Sequence, residues 1–219
     1  HYLFFRIPLL KPQQLLKKTY PCVDWLYSKT AAWCLAFLAV LGLYLVSRQW
    51  DTFTATLVSQ LSFQSFWGFA IALVVAKSVH ELGHAFTATR YGVRVAHMGV
   101  AMVVMFPMLY TDTSESWKLS RWQQRMAIAC AGMVAELGLA VIATLGWCLI
   151  PDGAMRDAMF YLATTSWVLT LLINVSPFLR FDGYFILADM LDMPNLHERA
   201  GATAKVWLRR LLLDIQDDW

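Results

Sequence analysis

Charge is scarce in this sequence: only 15% of its 219 residues are Asp, Glu, Lys or Arg, against 58% that are apolar. Soluble domains carry roughly 25% charge, so this balance, with a mean hydropathy of +0.50, excludes an ordinary cytosolic globule. The net charge of +3 is too small to suggest a nucleic-acid binder, and no nucleic acid is expected among the partners. Cysteine is sparse too. Cys22, Cys34, Cys130 and Cys148 share no CxxC or zinc-ribbon spacing, and the last three lie in apolar stretches where a thiol acts as a small hydrophobe. The opening HYLFFRIPLLKP is not expected to be a secretory signal, because its apolar run is too short before charge returns. A chain that opens on His1 is expected to be part of a longer protein. No internal repeat or low-complexity tract breaks the pattern.

What the sequence does have is long uncharged runs and many aromatics. Ten tryptophans and eight tyrosines suit a chain whose helix ends sit repeatedly at a lipid–water boundary. A helix needs ~20 mostly apolar residues to cross the hydrocarbon core. Four stretches qualify: Lys29 to Arg48, about Ser65 to Arg90 with Gly92 as the stop, about Trp122 to Ile150, and Ala158 to about Ser176, broken by Pro177. TFTATLVSQLSFQ, ahead of the second, is polar enough to be an interfacial lead-in. FDGYFILADML reads as a shorter apolar helix, and the tail HERAGATAKVWLRRLLLDIQDDW as a surface amphipathic helix.

Orientation follows from the basic residues. With the N-terminal side in the cytoplasm, Arg48 and Arg156 are the basic residues left outside and Lys77 lies within a span. All the other Lys and Arg, Arg180 among them, fall inside, as the positive-inside rule requires. A crossing by VAHMGVAMVVMFPMLYT, residues 95–111, would send every later basic cluster to the wrong side. That segment is therefore expected to be re-entrant or β-like over about 95–110, with Met98, Met102, Met105 and Met108 as packing residues. The expected fold is an α-helical integral membrane protein with about four transmembrane helices, this β-like segment and a C-terminal amphipathic helix. Residues 1–30 form a cytoplasmic or interfacial segment, 31–192 the membrane core and 193–219 a cytoplasmic amphipathic helix. Both ends are expected in the cytoplasm, and the lipid bilayer is itself a partner.

The chemistry is concentrated at HELGH, residues 80–84. On a helix, His80 and His84 stand one turn apart on one face and both imidazoles can hold one zinc, with Glu81 placed to take a proton from the metal's water. Two histidines and a glutamate in an apolar helix are costly in lipid, so they should face an interior site. A catalytic zinc wants a third protein ligand and an open position. HExxHxxGxxH is excluded, since Thr87 and Arg90 occupy the glycine and third-histidine places. His97, Asp112, Glu115, Glu136 and Asp182 remain as candidates, with Asp182 favoured because it follows the fourth span on the motif's side of the membrane. Asp112 opens a DTSE pattern whose ordinary role is a capping box.

HELGH within a membrane helix, followed downstream by NVSPFLRFDG, resembles the site-2 protease family of intramembrane zinc metalloproteases. Asn174, Pro177, Asp182 and Gly183 fall at the spacing of that family's N-x-x-P-x-x-x-x-D-G motif. The resemblance covers roughly residues 65–192. It implies that Asp182 is the third zinc ligand and that the segment after HELGH forms a membrane-associated sheet; the histidine pair with a carboxylate on the same membrane side predicts one zinc per chain. The family often has A-G-P-x-x-N where this chain has AGMVAE, Ala131 to Glu136. Glu136 is read either as a carboxylate supporting the site or handling protons, or as a helix-packing partner. Lys77 is expected to snorkel or to pair with Glu81 at i,i+4; its functional alternatives are to stabilise anionic intermediates or to repel a missing metal. Arg180 marks the membrane boundary beside Asp182. PMLYTDTSESW and FDGYFILADMLDMPNL look closer to bacterial members linked to peptide export and membrane-fusion adaptors.

The expected activity is an intramembrane zinc metalloendopeptidase of the bacterial cytoplasmic membrane. It would hydrolyse a peptide bond in or next to a membrane segment, with Glu81 as general base and with Asn174, Glu136 and Lys77 supporting the site or positioning substrate. The extended substrate would add as a strand to residues 95–108. Expected partners are a membrane-embedded or membrane-adjacent peptide and adaptor or exporter subunits. The rival is a non-catalytic subunit of a peptide-export or membrane-fusion-adaptor complex that retains its zinc as a staple. A purely structural zinc, however, is usually four-coordinate.

Overall fold

The computed structural model describes residues 4–60, 62–103, 106–178, 181–191, 193 and 195–213; Met105 and Arg180 lie outside them. Three helices are long and apolar enough to cross a membrane, spanning Lys29–Arg48, Phe63–Arg90 and Trp122–Leu149. They correspond to α2 (Lys29–Arg48), α4 (Phe66–Arg90) with the short 3-10 turn before it, and α5 (Trp122–Leu149). Their outward faces carry large bare hydrophobics such as Trp33, Phe37, Ile71, Val134 and Ile142. Helices apolar on all sides, with such faces uncovered, are built to meet lipid, and the chain is a membrane protein. The fourth expected span is not among these three: its residues fall in α6 (Ala154–Val168), 15 residues long, which runs on into a π-helical segment, Leu169–Asn174.

Local chemistry sets the ends. Ser28 caps α2 by accepting the Ala31 N–H at 3.1 Å. At the end of α4, Gly92 takes φ +73°, and the N–H groups of Gly92 and Val93 return to the carbonyls of Thr89 and Ala88. That is a Schellman stop, and the left-handed residue it needs is the glycine. The lead-in segment is helical as well, forming α3 (Trp50–Gln60). Gln60 ties it to α6 by donating to Asp157 at 3.2 Å and accepting the Tyr161 hydroxyl at 2.6 Å.

The segment after HELGH is a hairpin, β2 (Met98–Val103) and β3 (Phe106–Thr111), in an antiparallel sheet of order β1-β2-β3. Its third strand was not foreseen: β1 (Phe4–Leu10) pairs with β2, Phe4 opposite Val103 and Ile7 opposite Val100. The N-terminal segment is thus docked along the core. In α1 (Gln13–Val23), Leu16 is buried against Ala85, Ala88, Val95 and Ile128, and Gln13 accepts the Val95 N–H at 2.7 Å. Tyr27 shares a 3.0 Å hydrogen bond with Thr87 and lies under the Arg90 guanidinium. Beyond α6 come α7 (Asp182–Met190) and the amphipathic α8 (Leu196–Leu213).

The DTSE capping box does not form. Asp112 accepts from the N–H and hydroxyl of its own neighbour Ser114, bonds that hold its carboxyl below the usual carboxylate range. The chain makes a 3-10 turn, Ser114–Lys118, before α5 begins at Trp122. An Asx turn, satisfied within two residues, wins over the cap.

Candidate metal centre

Helices α4 and α5 approach closely because small residues face one another. A Cβ on Gly83 would sit 2.6 Å from the Ala131 carbonyl oxygen and 2.8 Å from the Ala135 Cβ. Membrane helices pack by such small-residue contacts, lacking a hydrophobic drive of their own. The approach lays the HELGH turn of α4 across Ala131–Glu136 of α5. The π-helical segment then brings Asn174 inward, where it is 2% exposed, and the chain leaves the helix past Pro177 to place Asp182 in the first turn of α7.

These elements bring three ligating atoms together. His80 Nε2 and His84 Nε2 are 3.2 Å apart, and Asp182 Oδ2 lies 2.9 Å from the first and 3.4 Å from the second. The edge between two ligands of a tetrahedral zinc with bonds of 2.0–2.1 Å is ~3.3 Å, so the triangle has the size of one face of such a site. The protonation pattern agrees. His80 Nδ1 is 2.9 Å from Glu136 Oε2, and His84 Nδ1 is 2.7 Å from the Ile128 carbonyl oxygen. Both partners are acceptors and suit a proton on each Nδ1, the tautomer that turns an Nε2 lone pair inward. In that tautomer two lone pairs and a carboxylate oxygen converge at these distances, an arrangement that favours a cation among them. Asp182 Oδ2 is accordingly buried with no hydrogen-bond partner among the described residues.

Space for that cation is provided by Gly132. A Cβ there would stand 2.4 Å from His84 Nε2 and 2.5 Å from His80 Nε2, close to bonding distance from both. The missing side chain leaves room where an ion would be held. Histidine, histidine and aspartate form a donor set suited to zinc with an open fourth position.

Of the other sequence candidates for the third ligand, His97, Asp112 and Glu115 do not join this cluster, whereas Glu136 lies behind it, against the far nitrogen of His80. Glu81 is half-buried on the same helix turn, and its carbonyl accepts the Thr111 hydroxyl at 3.1 Å, fixing β3 against the motif. Lys77 does not take the expected i,i+4 pairing with Glu81. Its ammonium lies 3.3 Å from Asn174 Oδ1 and 3.5 Å from Glu136 Oε2, because a fully buried carboxylate on the facing helix needs a counter-charge more than a half-buried one does. Sequence reasoning missed Gly132 and the Ile128 carbonyl. The carbonyl carries no side-chain signal; the glycine's signal was its place in a run of small residues on the helix facing HELGH.

Residues 68–170 match the model of Peptidase family M50, the site-2 protease family. The match takes in His80, Glu81, His84 and Glu136 and stops short of Asn174 and Asp182. An uncharacterized protein of Methanocaldococcus jannaschii is 35% identical over 68 residues, 31% of this chain; the chain covers only 19% of that protein's length. No solved structure matches.

Proposed function

Because residues 68–170 match the model of peptidase family M50, whose proteases depend on zinc, we propose that this chain is the membrane core of a zinc metalloendopeptidase. It cuts a peptide bond in or beside a membrane segment. The observation that supports this most directly is the triangle of His80 Nε2, His84 Nε2 and Asp182 Oδ2.

Bound there, zinc supplies Lewis-acid polarisation of the scissile carbonyl and lowers the pKa of water toward ~7. The protein's residues do the rest. His80, His84 and Asp182 would hold the metal. Glu81 accepts the water's proton and returns it to the leaving amine. A membrane helix hides its carbonyls in internal hydrogen bonds, so the substrate must unwind before it can react. The sheet offers an extended chain a place to lie: β1 occupies one side of β2, and β3, tied to α4 through Thr111 and Glu81, is an edge strand among the described residues, where an extended chain would add as a further strand.

The same proposal puts both chain ends in the cytoplasm of a bacterial inner membrane, with peptide-export adaptor or exporter subunits as partners. The test compares Glu81→Gln with wild type for hydrolysis of a candidate membrane peptide and for zinc content. Zinc should stay bound while hydrolysis falls at least ~10²-fold, the scale of losing a general base. Undiminished hydrolysis in Glu81→Gln refutes the catalytic assignment and favours a zinc-stapled scaffold.

A further inference from the structure

Resting on the metallopeptidase reading, we propose that Glu136, clamped by Lys77 and Asn174, is a positioning residue that fixes His80 for the metal. Glu136 is 0% exposed in the middle of α5, a helix apolar enough to span the membrane. A carboxylate there is costly unless paired and hydrogen-bonded. One of its oxygens collects three donors from two other helical segments. Oε2 is 2.9 Å from His80 Nδ1, 2.7 Å from Asn174 Nδ2 and 3.5 Å from Lys77 Nζ. The ring closes on itself, because Asn174 Oδ1 accepts from Lys77 at 3.3 Å.

This closure distinguishes a built device from a chance contact. Both polar ends of the Asn174 amide are engaged within the protein, so its work is to hold Glu136, not to meet substrate. Lys77 cancels the charge of Glu136, so the carboxylate acts on His80 without adding net charge to the membrane interior. A carboxylate accepting an imidazole Nδ1–H fixes the tautomer, sets the ring's orientation and makes Nε2 a stronger donor. His84 has a neutral carbonyl in the same place. The two histidines are therefore unequal, and His80 is the one whose donor strength is set by a charge.

The inference is tested on the full chain in detergent by two readouts independent of hydrolysis. One is zinc affinity, by competition with a chromogenic chelator; the other is the visible spectrum of the cobalt(II)-loaded protein. Glu136→Gln keeps the side chain's size and removes its charge. It should weaken zinc binding 10- to 100-fold, the usual effect of losing such a partner, and shift the cobalt bands. Asn174→Ala and Lys77→Met, whose side chains bond to Glu136 and to each other, should change both readouts in the same direction by less. A folded Glu136→Gln with wild-type affinity and spectrum overturns the proposal. If that variant does not fold, unchanged readouts in both Asn174→Ala and Lys77→Met overturn it equally. Failure of the enzyme reading shows elsewhere: a wild type that binds zinc and hydrolyses nothing, yet loses affinity on Glu136→Gln, refutes the peptidase and upholds the positioning role.

Discussion

Placing a methyl group at Gly132 is the sharpest perturbation the site allows. In Gly132→Ala the new Cβ would sit 2.4 Å from His84 Nε2 and 2.5 Å from His80 Nε2. A comfortable carbon–nitrogen contact is ~3.5 Å, so both ring nitrogens, or the helix carrying the methyl, must retreat by about 1 Å. Metal–ligand distances tolerate about 0.2 Å. A retreat of about 1 Å therefore separates the nitrogens from the ion or hands its space to the methyl. Zinc affinity should drop at least ~10²-fold, or about 2.8 kcal/mol at ~1.4 kcal/mol per decade. The control is on the same helix. Gly138→Ala adds a Cβ whose nearest neighbour is Leu35 Cδ2 at 4.0 Å, and replacing a mid-helix glycine by alanine gains up to ~1 kcal/mol of helix propensity. It should bind zinc as wild type does and melt no lower. Chelator competition and thermal unfolding of the two variants decide the matter. If Gly132→Ala, folded, binds zinc as tightly as Gly138→Ala, the metal does not lie between these histidines, and the site's geometry has been misread.

Two further predictions need no new geometry. Asp182→Ala should lower the zinc bound per chain or weaken binding by more than the ~10-fold typical of losing a residue that merely supports a ligand; metal analysis showing neither would move the third ligand elsewhere. For the orientation, single cysteines near Asp152 and near Lys118, in a background with the four native cysteines replaced, should label from opposite faces of the membrane. Labelling of both from one face would refute both ends being cytoplasmic.

Much of this protein was legible from residue order, for reasons of short range. Three apolar runs became the three long helices because about twenty mostly apolar residues suffice for a helix in lipid. The spacing of His80 and His84 put their imidazoles on one face because four residues make about one helical turn. The hairpin over 98–111 was foreshadowed by an apolar stretch that charge placement would not let cross. Other features depended on what lies opposite each residue, and that is a matter of packing. Nothing near Phe4 says that it will pair with Val103. Asp112 carried a capping pattern, but its neighbouring serine was the nearer donor. Lys77 had a glutamate one turn away, yet it turned to a glutamate 59 positions further on, because burial in α5 left that charge more in need of a partner. Glu136 itself was open between packing and chemistry until α4 and α5 came close enough for its oxygen to meet the far nitrogen of His80. Residue order determined which groups are available for chemistry and the helical turn that pairs two of them. Which carboxylate faces the histidines, which one backs them, and which missing side chain leaves room between them were decided only when the helices packed, since a buried charge takes its partners from whatever the fold sets beside it.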